Sequence, residues 1–184
     1  EELESEKRVL LSYLMGVPNR AILPQFQRIQ IDPEYGWFVV AEASVRSRNL
    51  EISKPAGFQE MVCLDMPGMP SRKLVVGFSG KRIRQEGLEA FGAALHGADT
   101  VGISLACRDI DKLYGARLQA QEARRDVPMG SSGVSFYTEE RKPGKMEKAL
   151  ADRLSFALER RDEEEFYRLA KEHHQESKRL GRSV

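Results

Sequence analysis

The chain has 184 residues, with 29 Lys plus Arg against 28 Asp plus Glu and a formal charge of +1. That length suits one compact domain with a helical appendix, and a domain of this size buries about 70% of its unfolded surface without a disulfide or structural metal. The balanced charge does not announce a nucleic-acid binder, although it can conceal a local basic patch, and no apolar run approaches the ~20 residues that a membrane span needs.

Leu3 to Met15 predicts an amphipathic helix. Leu3, Val9, Leu10, Tyr13 and Leu14 oppose Glu4, Glu6, Lys7 and Arg8, and Gly16 and Pro18 stop it. Ile29 and Ile31 alternate with polar neighbours as a short strand, and Asp32 to Gly36 has turn composition. Trp37 to Val45 predicts a long strand that Leu50 to Ile52 continues or pairs with. Gln59 to Met66 and Leu74 to Phe78 predict two more, with Pro67 to Pro70 as a loop between them. Cys63 and Cys107 fall in apolar, strand-like runs and read as buried reduced thiols. Ser79-Gly80-Lys81 leads to a helix expected over Gln85 to His96, which Gly97 ends. Gly87 and Gly92 weaken that helix, so close packing on the sheet is expected of it.

Thr100 to Pro128 organises the rest. Val101, Ile103 and Leu105 alternate with Gly102, Ser104 and Ala106, the period of a strand with one buried face. Asp109 and Asp111 break the run, and Gly115 offers a tight turn where backbone can approach a ligand. Ala116, Ala120 and Ala123 then follow helical spacing until Asp126 and Pro128. Arg117, in the expected first turn of this helix, suits an anion, since a helix N-terminus has free N–H groups and arginine a fork of donors. Val127-Pro128 reads as the start of another strand, residues 130–133 as a hinge or exposed loop, and Val134 to Tyr137 as a last strand. From Glu139 to Arg182 there are twelve basic and eleven acidic residues, and the apolar stripes of two helices suggest a helical hairpin. The expectation is an α/β (α+β) fold: a mixed sheet with flanking helices over residues 1–138 and a C-terminal hairpin over 139–184. With no leader pattern visible, the expected compartment is the cytoplasm.

The order helix, strand, short acidic turn, Gly-x-Arg step, helix with small residues and Val-Pro strand start resembles the ParB/sulfiredoxin superfamily. The box reads Gly115-Ala116-Arg117-Leu118, and the helix carries Ala120 and Ala123. Leu118 stands where the ParB box has a second arginine, and the box holds no cysteine, so sulfiredoxin chemistry is not implied. Length and layout look most like the small plasmid fertility-inhibition proteins of the oncogenic-suppression type. That resemblance implies DNA cleavage with nucleotide (ATP) hydrolysis, directed at conjugative or T-DNA transfer.

Read from the residues, the candidate chemistry has three parts. Arg72, Lys73, Lys81, Arg82 and Arg84 form a stretch with no acid, suited to a DNA backbone or simply to solvent. Gly77 to Lys81 echoes a phosphate loop but lacks its spacing. Asp109 and Asp111 could hold Mg²⁺ against substrate phosphates or be ordinary turn residues. Arg117 could steady transition-state charge, with Glu122 supporting it or activating water. His96 is either a general acid or phosphate donor, or a cap on helix carbonyls. His173 and His174 make a poor metal pair, and no serine is matched to a base. The rival reading is a non-enzymatic module that docks on DNA or on a transfer (coupling) protein. A ParB-like nucleotide switch would need the missing second arginine.

Overall fold

A computed structural model of the chain describes residues 2–17, 36–45, 49–128, 130–139, 167–169 and 171. The chain divides into two compact units: residues 1–127 with 131–137, and residues 128–130 with 138–184. In the second unit residues 167–169 are helical, with Tyr167 exposed and Leu169 buried. The strand expected at Ile29 and Ile31, the first helix of the hairpin, His173 and His174 lie outside the described residues.

The first unit is mixed α and β. Helix α1, Glu2–Leu14, puts Val9, Leu10, Tyr13 and Leu14 on one buried stripe. Strands β1 (Trp37–Ser44), β3 (Glu60–Met66), β4 (Met69–Ser79), β6 (Thr100–Ile103) and β7 (Gly133–Phe136) form a sheet in the order β3-β4-β1-β6-β7. All its pairings are antiparallel except β6 with β7. Helix α3, Leu113–Arg125, makes the crossover that a parallel pair requires. Helix α2, Gln85–Ala93, covers the other face.

Period-two alternation assigns the faces. Phe38 and Val40 point with Leu74 and Val76 toward α1 and α3, where Leu113, Ala116 and Ala120 complete a core. Val39, Ala41 and Ala43 point with Val75, Val101 and Ile103 toward Phe58, Leu88 and Phe91.

The structure redraws four expected elements. The helix after Lys81 ends at Ala93, and Leu95–His96 is instead a short strand, β5, paired with Glu51–Ile52, β2. Pro67-Gly68 is a tight hairpin turn with Gly68 at φ 73°, so β4 begins at Met69, well before Leu74. The strand from Thr100 stops at Ile103, because the Ser104 hydroxyl accepts the Val40 N–H (2.9 Å) while Ser104 N–H donates to Val40 O (2.9 Å). Pairing resumes only at Phe38 with Cys107, so the chain bulges between and is re-aimed toward α3. At Val127-Pro128 the described residues show a bridge position at Pro128 alone, and the strand that follows, β7, begins at Gly133.

Candidate functional site

Asp109 caps a 3-10 turn, Ile110–Lys112, its Oδ1 accepting the Asp111 N–H at 3.0 Å. That turn runs directly into α3, which opens at Leu113. Gly115 is thus the third helical residue, not a turn, and Arg117 the fifth, not in the first turn. The donors at the start of this helical run face a carboxylate already, which disfavours an anion at that end.

Arg117 keeps a different opportunity. Its Nε is buried and has no hydrogen-bond partner, and no carboxylate among the described residues pairs with it. A Cβ placed on Gly115 would meet nothing within 4 Å, but Gly115 is exposed and about 200° around the helix from Arg117, so that space does not adjoin the Arg117 side chain. A guanidinium with a buried, unsatisfied donor is costly to leave alone, and a ligand oxygen would satisfy it.

The other expected residues do not gather there as one cluster. Asp109 and Asp111 are exposed on the turn ahead of α3. Glu122 is exposed and five residues beyond Arg117, about 140° around the helix, so it cannot brace Arg117. Among the described residues no three His, Cys, Asp or Glu side chains are set to hold a metal. Of the residues expected to hold Mg²⁺, Asp109 and Asp111 stand on this turn, with Asp109 Oδ1 already accepting a backbone N–H.

The basic stretch is split by β4. Arg72 and Lys73 lie near its start and Lys81 beyond its end, roughly 25–30 Å apart at ~3.3 Å per residue. Arg72 donates to Glu42, and Lys73 forms an ion pair with Asp65. Lys81, Arg82 and Arg84 stay exposed, with Arg82 resting 5.7 Å from the Trp37 ring centroid. Gly77 is no phosphate loop: it sits inside β4, where a Cβ would come within 2.7 Å of Phe91 and 2.8 Å of Phe58.

His96 faces Ser53 across the β2–β5 ribbon, with Ser53 Oγ 2.9 Å from His96 Nε2. A serine is thus matched to a base after all, 43 residues away in the chain. Both are exposed, and the contact ties the ribbon together.

The sequence hid one further group entirely. Glu42, in the middle of β1, is completely buried. Its Oε1 accepts from Arg124 Nε at 2.9 Å and Arg72 Nη1 at 3.3 Å. Arg124 reaches it because α3 lies directly on β6 at Gly102, where a Cβ would stand 2.0 Å from Ala120 O and 2.2 Å from Arg124 N. Burial lowers the Arg72 pKa, Arg124 lowers it further, and Glu42 opposes that shift. Burial also raises both thiols, that of Cys107 to about 11, so neither is a ready nucleophile.

Comparison with known proteins found no family model that matches the chain and no curated protein similar to it. No described helix is long and apolar enough to cross a membrane.

Proposed function

We propose that the protein engages phosphate groups through Arg117 and acts on DNA. In the fuller reading it is a ParB/sulfiredoxin-like fertility-inhibition protein that cleaves DNA with nucleotide (ATP) hydrolysis and so blocks conjugative or T-DNA transfer. The observation that carries the proposal is the buried Nε of Arg117, which has no hydrogen-bond partner. A phosphoryl oxygen there would accept from the guanidinium, and bidentate donation would orient the ester. Lys81, Arg82 and Arg84 supply an exposed basic run for a DNA backbone. A Mg²⁺ brought in with the phosphates would find Asp109 and Asp111 on the turn leading into α3, and it would supply charge neutralisation there.

The scatter of Asp109, Asp111 and Glu122 favours a second reading, in which the protein binds DNA or a transfer protein and hydrolyses nothing. One experiment separates them: digestion of single- and double-stranded DNA with Mg²⁺, alongside a gel-shift assay on the same DNA. Cleavage that falls tenfold or more in Arg117→Ala is expected. Retardation without cleavage, also lost in Arg117→Ala, selects the binding reading. If Arg117→Ala cuts and binds as the parent does, both readings of Arg117 fail.

A further inference from the structure

Arg117 offers donors to any phosphate and does not choose between duplex and single-stranded DNA. The end of the sheet at Trp37 does. Trp37 opens β1, is paired with Ser79 at the end of β4, and packs against the core that α2 covers. Arg82, just beyond β4, holds its guanidinium carbon over the indole, 5.7 Å from the ring centroid, and is itself exposed. An arginine already placed over a ring has less freedom to lose when a ligand arrives. Its outward face is a flat surface on which an unstacked base can lie.

Among the described residues, charge at this end of the sheet is positive on balance. Lys81 and Arg84 flank Arg82 in the chain, and the isolated pairing of Phe38 with Cys107 brings the exposed Arg108 to the same end. Lys54 joins them from ahead of β3, where its Nζ donates to Gln59 O at 2.9 Å, and a Cβ on Gly80 would come within 3.0 Å of the Gln59 side chain. Three carboxylates lie near these cations: Glu60, Glu86 and Asp109. Glu60 Oε1 accepts the Met61 N–H, Asp109 Oδ1 accepts the Asp111 N–H, and Glu86 sits in the first turn of α2, where the helix dipole favours it. None of Lys81, Arg82, Arg84 and Arg108 is ion-paired with a described residue. Exposed, unpaired cations suit a phosphate backbone. Charge alone would serve a duplex or an acidic peptide as well. The stacking surface would not, because duplex bases are already stacked inside their helix and an acidic peptide has no base to lay on it.

Resting on the reading that the protein engages DNA, we infer that the Trp37–Arg82 pair is a stacking platform for a base of single-stranded DNA. Lys81, Arg84 and Arg108 take the flanking phosphates. Trp37 belongs to the sheet face that α2 covers, whereas α3, which carries Arg117, packs on the opposite face. The platform is therefore a contact separate from the one assigned to Arg117.

The test is a titration of the full chain, in EDTA so that nothing is cut, with an oligothymidine and with a duplex, an abasic strand and oligoglutamate of matched length. Anisotropy of the labelled ligand is read together with the emission of Trp37, the single tryptophan of the sequence. Oligothymidine should bind about tenfold tighter than the abasic strand, the worth of one stacked base, and should change the Trp37 emission. It should also bind more tightly than the duplex. Arg82→Lys keeps the charge and loses the plane, so it should weaken oligothymidine about tenfold while leaving the abasic strand and the salt dependence as they were. Lys81→Gln should instead weaken both strands alike and lower the salt slope by about 1. The platform is overturned, and DNA binding is not, if the duplex, the abasic strand or oligoglutamate binds as tightly as oligothymidine. The same holds if Arg82→Lys binds oligothymidine as the parent does. If no nucleic acid binds at all, the DNA reading falls and the platform with it.

Discussion

The two faces of the sheet are made by the same strands and obey different rules. Toward α2, β1 presents Val39, Ala41 and Ala43, and the space is closed by Val75, Val101, Ile103, Phe58 and Phe91. Toward α1 and α3 the same strand starts alike with Phe38 and Val40, then turns to Glu42 and Ser44. The first face has an apolar centre, with the Lys73–Asp65 ion pair and buried Ser79 at its ends. The second begins as core and ends in a desolvated ion cluster, and α3 must seat on both parts at once.

The largest expected effect comes from breaking that cluster. Arg124→Met leaves the Glu42 carboxylate with Arg72 alone, and stripping a partner from a buried charge costs about 3–5 kcal/mol. Urea denaturation reads this directly. Replacing both groups, Glu42→Leu with Arg124→Leu, should recover most of the loss, because an apolar pair carries no desolvation penalty. Failure to recover would mean that the ions shape this face rather than merely occupy it.

Next come two glycines, one per face. At Gly102 an alanine Cβ would run into the backbone of α3, so Gly102→Ala should cost about 3 kcal/mol. At Gly92, within α2, the Cβ would meet the end of the Ile103 side chain at 2.7 Å, which can move, and alanine favours the helix by about 1 kcal/mol. The net change at Gly92 should stay within about 1 kcal/mol by the same denaturation. A reversal of this order would show that α2, not α3, is the tightly seated helix.

An effect confined to alkaline solution concerns Cys107, beside the first core. Burial raises its pKa to about 11, so the folded state holds the thiol proton longer than the unfolded chain does. Below the ordinary thiol range this changes nothing. Between about pH 9 and 11 the unfolded state binds fewer protons, so stability falls as pH rises. The loss is on the order of 2 kcal/mol, and Cys107→Ala should flatten that limb of the stability profile.

Much of this architecture was legible from residue order. The apolar runs of β1, β3 and β4 and the alternation at Thr100 to Ile103 declare themselves, because a strand's pattern is local. What failed was whatever depends on a distant partner. Glu42 sits in an apolar run and gives no sign that Arg124, 82 residues on, will bury with it. Ser53 and His96 are 43 residues apart and meet only through the β2–β5 pairing. The strand beyond Ile103 was misread because a serine hydroxyl took a ladder position. The basic stretch looked like one patch, but an extended strand separates its two ends and Glu42 and Asp65 engage one of them. Arg117 was legible as a residue of interest but not as a member of the helix's second turn, since the 3-10 turn that advances the helix start has no strong signature.

The position of β1 at the centre of the sheet has a consequence for synthesis. Both of its neighbours, β4 and β6, lie later in the chain. A ribosome therefore releases the most apolar ribbon of the sheet first, with one flank bare until β4 arrives and the other until residues 100–103 emerge. Nascent or prematurely terminated chains that end before Thr100 would carry an open ledge of backbone donors and acceptors, primed to recruit the same ribbon from another copy.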